Sequence, residues 1–266
     1  MNRIQSLFDH KKDILSFYCT AGFPCLQDTL PIIEALQEAG ADMIEIGIPF
    51  SDPLADGPVI QQSSTAALNN GMTIETLFRQ LKTIRRTVTI PLLLMGYLNP
   101  ILQFGIERFC REAASCGIDG FIIPDLPLEE YKKEWKALTD ALHLNMIFLV
   151  APSTPPERIR EIDNLGNGFI YLVTAAATTG QGLVFEEQAE AYFTRIQQMS
   201  LKNPLVAGFG IRSKEDYEKV CTYVQGAVIG SSLIGALQEG KAVDKTLIRD
   251  FVHAFRKEPA GSDALP

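Results

Sequence analysis

Eight short apolar runs rich in β-branched residues recur along the chain. Most are continuous rather than alternating, which is typical of parallel strands covered on both faces. They predict strands at residues 14–22, 43–48, 91–97, 120–125, 145–151, 169–174, 204–209 and 226–232. The segments between them carry apolar residues at helical spacing among charged ones. They predict helices at residues 30–39, 74–86, 106–116, 128–142, 155–165, 185–198 and 214–224.

Eight strands that alternate with helices in 266 residues predict a single (β/α)8 TIM barrel. The alternative is a doubly wound sheet, which would normally need fewer strands. The apolar residues Ile4, Leu7 and Phe8 predict an N-terminal helix that caps the barrel floor. We expect one domain over residues 1–256 and a disordered tail over 257–266.

Composition narrows the class of protein. The net charge of -8 and the pI of about 5.0 argue against a general binder of nucleic acid or anionic membranes. We find neither a signal-peptide block nor a run of transmembrane length. The cysteines are odd in number and form no CxxC pair, which indicates a reduced, cytoplasmic setting. They are Cys19, Cys25, Cys110, Cys116 and Cys221.

The stretch "IEIGIPFSDPLADGP" at residues 44–58 places one acid, Glu45, inside a strand that reads as buried. An ordinary structural explanation is a partner such as an arginine or a backbone group, but fully buried glutamates are rare. Burial also raises the pKa of a carboxyl group toward neutrality, where it can give and take a proton. We therefore favour Glu45 as a general acid or base.

The loop that follows carries Asp52 and Asp56, and it leads into a predicted extra helix at residues 59–68. Each aspartate alone is typical of a turn, although an acid on a long loop over the barrel mouth can also meet a substrate. Asp125 ends the fourth strand and can equally cap the helix near Leu128. Long loops are expected after strands two and six.

Histidine and lysine are badly placed for catalysis. In TIM barrels the chemistry lies at the carboxyl ends of the strands. The three histidines, His10, His143 and His253, map to the other end or the outside, and the lysines fall in helices or before strands. A metal-dependent enzyme or a Schiff-base aldolase would lack its groups. Carboxylates, tyrosine and backbone amides remain.

Glycine-rich turns follow the last three strands, in "TTGQG" (178–182), "AGFGIRS" (207–213) and "VIGSS" (228–232). The loops after strands seven and eight of such barrels commonly bind phosphate through backbone amides. Tight turns that need glycine anyway are the simpler alternative, and the pair of loops makes phosphate binding the better interpretation. Tyr171, within strand six, is either a packing residue or a hydroxyl that reaches the pocket.

With these residues in hand, the chain closely resembles the tryptophan synthase alpha subunit family. "IEIGIPFSDPLADGP" is the most specific match, with support from "TAGFP" (20–24), "PDLP" (124–127), "GFIYLV" (168–173), "GFGI" (208–211) and "IGSS" (229–232). The resemblance implies a lyase that cleaves indole-3-glycerol phosphate to indole and glyceraldehyde 3-phosphate in tryptophan biosynthesis. It implies no cofactor in this chain, and a pyridoxal-phosphate beta subunit as the partner in an αββα heterotetramer.

The resemblance also assigns residues to roles. It implies that Glu45 and Asp56 are catalytic, the first giving a proton to indole C3 and the second binding the indole N–H. Substrate-binding positions carried over from the family are Tyr171, Thr179, Gly180, Gly210, Gly230 and Ser231. Apolar residues near the mouth, among them Phe50, Ile60 and Phe209, are expected to line the indole pocket.

One departure lies after strand six, where many family members read "SRAGVTG" and this chain reads "TAAATTG". Ala175 replaces the arginine. We expect this replacement to change the dynamics of the loop and to leave the proposed acid and base in place. Three other functions stay open on sequence alone. They are a different phosphosugar isomerase or aldolase, a non-catalytic activator of a beta subunit, and a stand-alone lyase that releases free indole.

Overall fold

Eight parallel strands close into a barrel in chain order, and β1 pairs with β8 to complete it. The computed structural model describes residues 2–173, 187–208, 210–237, 241 and 243–256. The strands are β1 Ile14–Thr20, β2 Met43–Gly47, β3 Leu92–Met95, β4 Gly120–Ile122, β5 Asn145–Val150, β6 Ile170–Val173, β7 Leu205–Gly208 and β8 Gly226–Ile229. The predicted TIM barrel is confirmed, and a closed barrel rules out the doubly wound sheet.

The helices surround this barrel. They are α1 Arg3–His10, α2 Thr29–Glu38, α3 Pro58–Asn69, α4 Ile74–Leu81, α5 Leu98–Phe104, α6 Ile106–Ser115, α7 Leu128–Glu130, α8 Lys136–Ala141, α9 Pro156–Leu165, α10 Glu187–Gln198, α11 Lys214–Cys221, α12 Ser231–Ala236 and α13 Lys245–Phe255. A π-helical turn, Tyr131–Trp135, joins α7 to α8, and a 3-10 turn, Ile84–Arg86, follows α4.

The predicted elements differ from the observed ones mainly at their carboxyl ends. The run at 226–232 was expected to be one strand, but the strand stops at Ile229 and Ser231 begins α12. The short helix α5 was missed, since its Pro100 resembles a turn residue. Proline is tolerated there because the first turn of a helix has no intrahelical partner for its N–H groups.

Strand side chains alternate between the barrel interior and the surrounding helices. Phe17 points outward, because its ring lies 6.2 and 6.3 Å from the rings of Phe251 and Phe255 in α13. Its neighbour Tyr18 therefore points inward. Tyr18 pairs in register with Glu45, so the side chain of Glu45 also points into the barrel.

Helix α1 closes the floor of the barrel, as predicted. Ile4 is fully buried, and the ring of Phe8 lies 5.9 Å from that of Phe169 at the start of β6. Asn2 caps the helix by accepting hydrogen bonds from the amides of Ile4 and Gln5. The single domain over 1–256 stays a prediction, and the tail at 257–266 lies outside the described residues.

Two buried aspartates at the floor are neutralised by cations. Asp42 accepts from the ammonium of Lys11, from Arg256 at 2.9 Å, and from the amide of Leu15 at 2.9 Å. Asp119, which precedes β4, is held in the same way by two arginines and one backbone amide. Its partners are Arg3 at 2.9 Å, Arg85 at 2.5 Å and the amide of Leu92 at 2.8 Å.

Candidate active site at the barrel mouth

Glu45 occupies the middle of β2, inside the barrel, and its exposed fraction is 0%. Neither carboxylate oxygen has a hydrogen-bond partner among the described residues. The arginine or backbone partner that a structural role would require is therefore not found there. Burial raises the pKa of Glu45 to about 8. The group is thus protonated at neutral pH and close enough to its pKa to exchange a proton.

Two tyrosine rings stand beside Glu45 because two glycines leave room for them. A Cβ atom at Gly47 would lie 2.0 Å from the hydroxyl of Tyr18, and one at Gly208 would lie 2.0 Å from the hydroxyl of Tyr171. Burial raises the pKa of Tyr171, and the charges of Glu45 and Asp56 raise it further. Tyr171 therefore lies in the pocket, near both predicted acids.

Tyr18 was missed in the sequence, although it faces the same interior. Burial, followed by the charge of Asp56, raises its pKa. A tyrosine within an apolar run is ordinarily a packing residue, and only the register with Glu45 shows which way it points. The strand alternation was the available signal, but it needed an anchor such as the outward Phe17.

Asp56 is half-buried in the loop between β2 and α3. The hydroxyl of Tyr97 donates a hydrogen bond to its Oδ2 at 3.0 Å, and accepts one from the amide of Ala55 at 3.0 Å. Burial raises the pKa of Asp56 to about 6, while the bond from Tyr97 acts in the opposite direction. Tyr97 was also missed, because it ends an apolar run and reads as core.

The other two candidate acids have structural partners. Asp52 is exposed and accepts a hydrogen bond from the hydroxyl of its neighbour Ser51. Asp125 is exposed and accepts from the amide of Leu98 at 2.9 Å, so it caps α5 rather than the helix at Leu128. A structural interpretation of both residues is the better one, a turn for Asp52 and a link to α5 for Asp125.

The predicted phosphate-binding residues lie at the same end of the barrel. Gly210 follows β7 with a φ of +82°, a conformation that favours glycine. Gly230 ends β8 at the N-cap of α12, and Ser231 is the exposed first residue of that helix. Helix α12 packs against α3 and β1, which brings the end of β8 next to the segment after Asp56.

The remaining predicted positions divide into two that are described, Ile60 and Phe50, and four that are not. Ile60 is buried in α3, where its carbonyl oxygen accepts a hydrogen bond from Ser63 at 2.9 Å. Ser63 in turn is 2.7 Å from the hydroxyl of Thr20 at the end of β1, so α3 is fixed to the barrel. Ala175, Thr179, Gly180 and Phe209 lie outside the described residues.

The described residues offer no alternative centre for catalysis by a metal. Within them, no three histidine, cysteine, aspartate or glutamate side chains gather as ligands of an ion would. No described helix combines the length and apolarity needed to cross a bilayer. All five cysteines are free thiols.

Comparisons with known proteins agree on one family. The family described as "Tryptophan synthase alpha chain" matches residues 4–259. A tryptophan synthase alpha chain of Flavobacterium psychrophilum is 54% identical over 239 residues, which are 90% of this chain and 94% of the relative. That of Bacteroides thetaiotaomicron is 50% identical over 250 residues, 94% of this chain and 98% of the relative.

Solved structures extend the agreement to the whole barrel. A Mycobacterium tuberculosis tryptophan synthase chain has a TM-score of 0.86 at 31% identity, covering 96% of both chains. The alpha subunit of Legionella pneumophila has a TM-score of 0.84 at 34% identity, covering 96% of this chain and 97% of that one. The chain therefore belongs to the tryptophan synthase alpha chain family.

Proposed function

We propose that Glu45 and Asp56 carry out the alpha reaction of tryptophan synthase in this chain. That reaction, the cleavage of indole-3-glycerol phosphate to indole and glyceraldehyde 3-phosphate, is the role of the family to which the chain belongs. One observation supports the assignment of the residues above all. Glu45 is a fully buried acid without a described partner, and its side chain points into the barrel from the middle of β2.

The reaction breaks the bond between indole C3 and a carbon that bears a hydroxyl group. In this proposal the protonated Glu45 gives its proton to C3, which moves positive charge onto the indole ring. The resulting carboxylate then takes the hydroxyl proton as the C–C bond breaks. The electron pair of that bond returns to the ring, so indole and an aldehyde leave and Glu45 is protonated again. One group that gives and takes a proton near neutral pH suffices.

Asp56 has the complementary task of accepting the indole N–H and stabilising the charge that develops on the ring. It must be ionised for this, whereas Glu45 must be protonated. The pKa of Asp56, about 6, and that of Glu45, about 8, satisfy both needs between these two values. Two carboxyl groups held in opposite states by their surroundings are a recurrent solution in acid/base enzymes.

The substrate would be oriented by the remaining residues. Tyr171, Ile60 and Phe209 would contact the indole ring and the glycerol chain. The phosphate would bind to backbone amides of the loops after β7 and β8, through Gly210, Gly230 and Ser231. Thr179 and Gly180 would contact the substrate from the loop after β6. Backbone amides at such turns bind phosphate without a positive side chain, which suits a chain of net charge -8.

We also propose a beta subunit as the partner. The beta subunit would carry pyridoxal phosphate, this chain would need no cofactor, and the αββα complex would work in the cytoplasm. Indole is apolar and would diffuse away, so direct transfer to a second enzyme makes physical sense. Leu54, at the tip of the loop after β2, is 94% exposed and supports docking at this face. A stand-alone lyase remains the second candidate.

The test is Glu45→Gln, with indole release followed in parallel with glyceraldehyde 3-phosphate formation. Glutamine keeps the shape but carries no acidic proton, so we expect a loss of roughly 10²–10⁴-fold in kcat with an unchanged fold. Glu107→Gln, an exposed glutamate in α6, is the matched control and should keep full activity. Near-normal indole release by Glu45→Gln would contradict the proposal.

Partner binding is tested separately. Size-exclusion chromatography with and without a pyridoxal-phosphate beta subunit shows whether a complex forms. Indole release is measured in each sample. A chain that elutes alone and turns over equally well in both samples would be a stand-alone lyase.

A further inference from the structure

Tyr97 connects the loop that carries Asp56 to the wall of the barrel. It lies two residues after β3, at the N-cap of α5, and only 8% of it is exposed. Its ring lies 5.3 Å from the ring of Phe50, which begins the same loop. Its hydroxyl meets the loop twice, by donating to Asp56 Oδ2 and by accepting from the amide of Ala55, each at 3.0 Å.

The amide of Ile48 fixes the start of this loop to β3 by donating to the carbonyl of Met95 at 2.7 Å. Beyond Ile48, the other hydrogen bonds of the loop, as far as the described residues show them, are local. The amide of Asp56 donates to the carbonyl of Pro53 at 3.1 Å, and that of Leu54 donates to the carbonyl of Asp52 at 3.0 Å. The side chain of Gln61, in the next helix, donates to the carbonyl of Asp56 at 2.8 Å. These bonds shape the turn, but they do not fix it to the strands that carry Glu45 and Tyr171.

We propose that Tyr97 is a positioning residue for the lyase reaction, acting through Asp56. Its hydroxyl binds one carboxylate oxygen and the adjacent backbone, which leaves the other oxygen for the indole N–H. The inference rests on the role proposed above for Asp56. Catalytic groups must be held to within a fraction of an ångström, and a loop held only by its own local hydrogen bonds does not provide that.

The same hydrogen bond keeps Asp56 in the ionised state that the reaction needs. Among the residues that the structure describes, the titratable groups that face Asp56 are the phenols of Tyr97, Tyr18 on β1 and Tyr171 on β6. All three have raised pKa values, so they are neutral in the working range. The charge of Asp125, in the loop after β4, also raises the pKa of Tyr97. Without the bond from Tyr97, burial raises the pKa of Asp56 unopposed.

The first test is the pH profile of kcat/KM for Tyr97→Phe. The ring stays and packs on Phe50, so the variant keeps its fold. Activity falls as pH falls through the pKa of Asp56, and a higher pKa moves that acidic limb to higher pH. We expect a loss of about 10- to 100-fold at pH 8, the scale for removing an outer hydrogen-bond partner that orients a functional group, and a larger loss at pH 6.

Tyr217→Phe is the matched control. The hydroxyl of Tyr217 donates to the carbonyl of Asp13 below β1, at the opposite end of the barrel. This variant loses one tethering phenol as well, so it reports a general effect on stability. We expect its acidic limb to coincide with that of the unmodified protein. An unmoved limb in Tyr97→Phe would overturn the inference.

A double-mutant cycle shows whether Tyr97 acts through Asp56. In an Asp56→Asn background, we expect Tyr97→Phe to lower activity less than twofold further, because coupled residues are not additive. The full single-mutant loss in that background would overturn the inference.

A readout independent of turnover separates this inference from the proposed function. The amide of Ala55 should exchange its hydrogen at least tenfold faster in Tyr97→Phe than in the unmodified chain, since its acceptor is gone. If the unmodified chain does not cleave indole-3-glycerol phosphate, the proposed function fails whatever this exchange shows. If it does cleave and exchange at Ala55 is unchanged, the tether is wrong.

Discussion

The floor and the mouth of the barrel treat buried acids in opposite ways. At the floor, Asp42 and Asp119 each contact two cations and one backbone amide. At the mouth, Glu45 has no described partner and Asp56 has a neutral phenol. Asp42 immediately precedes β2 and Glu45 lies within that strand, only three residues further along the chain. In the proposed scheme, the described part of the fold thus provides cations for the acids with a structural role and none for the acid that reacts.

The difference separates stability from chemistry. A paired aspartate joins elements that are distant in sequence, since Arg3 and Asp119 are 116 positions apart. An unpaired glutamate weakens the fold but holds a proton at neutral pH. Removing a mouth acid should therefore lower activity without destabilising the fold, and removing a floor acid should destabilise the fold with little effect on activity.

The largest effect on stability is expected from Glu45 and depends on pH. The pKa of Glu45 is about 8 in the folded protein, above its ordinary value. Below that ordinary value both states hold the proton and stability is full. As pH rises toward 8 the unfolded chain loses its proton first, so stability falls by up to about 1.4 kcal/mol per pH unit.

Urea unfolding of the unmodified protein and of Glu45→Gln at pH 5, 6.5 and 8 measures this. Glutamine does not titrate, so the variant should gain relative stability with pH and lead by roughly 3–5 kcal/mol above pH 8. A constant difference in the free energy of unfolding across this range would mean that Glu45 is ionised in the folded state. The acids of the mouth and of the floor would then not differ in the way described above.

Asp119→Asn should show the opposite behaviour. The substitution removes the charge that neutralises Arg3 and Arg85. Loss of one partner from a fully buried ion pair costs about 3–5 kcal/mol, but Arg3 is 40% exposed, so we expect about 2–3 kcal/mol. The free energy of unfolding from urea denaturation measures the loss, and kcat of the folded fraction should change less than twofold. A large fall in kcat would show that the floor is not purely structural.

Much of this difference between the acids of the floor and those of the mouth could be predicted from the sequence. Glu45 could be identified because an acid inside a continuous apolar run is unusual, and the strand count alone indicated the barrel. The partners were not predictable, because they come from distant positions. Nothing local to Asp125 indicates that it caps the helix beginning at Leu98, 27 residues earlier. The hydrogen bond between Asp125 and Leu98 joins the loops after two neighbouring strands, and these loops become neighbours only when the sheet has formed.

The pocket tyrosines illustrate the same limit. Tyr18 and Tyr97 lie in apolar runs, where a ring reads as packing, and their hydroxyls matter only once register and loop path are known. Gly47, beside Tyr18, was not singled out, and Gly208, beside Tyr171, was assigned to a glycine-rich turn that predicts phosphate binding. Glycine is needed at Gly47 and Gly208 for a steric reason, since a side chain there would overlap a tyrosine ring from the neighbouring strand.

Gly208→Ala tests whether the ring of Tyr171 needs the space that Gly208 leaves for it. The new methyl group would displace the ring of Tyr171, and overpacking of this kind typically costs about 1–3 kcal/mol. Because Tyr171 lies beside Glu45, we expect kcat/KM to fall as well. Urea unfolding and the lyase assay measure both.

Gly235→Ala is the control for Gly208→Ala. An added Cβ at Gly235 meets no atom within 4 Å, and the residue lies within α12. We expect it to keep its activity and to be as stable as the unmodified protein or slightly more so. Equal behaviour of the two variants would mean that Tyr171 tolerates displacement.

The smallest effect should come from an acid that is paired but exposed. Glu107 binds Arg111 one turn along α6 at 2.7 Å, at a distance as short as many contacts at the floor, yet the two side chains are 69% and 61% exposed. Water already solvates both charges, so Glu107→Gln should change the free energy of unfolding by no more than about 0.5 kcal/mol. Asp119→Asn removes a similar contact but leaves an arginine in a dry site. If the two substitutions cost the same free energy of unfolding, pairing itself would explain why the floor aspartates stabilise the fold. If only Asp119→Asn is costly, burial explains it, and burial is also what raises the pKa of Glu45 at the mouth.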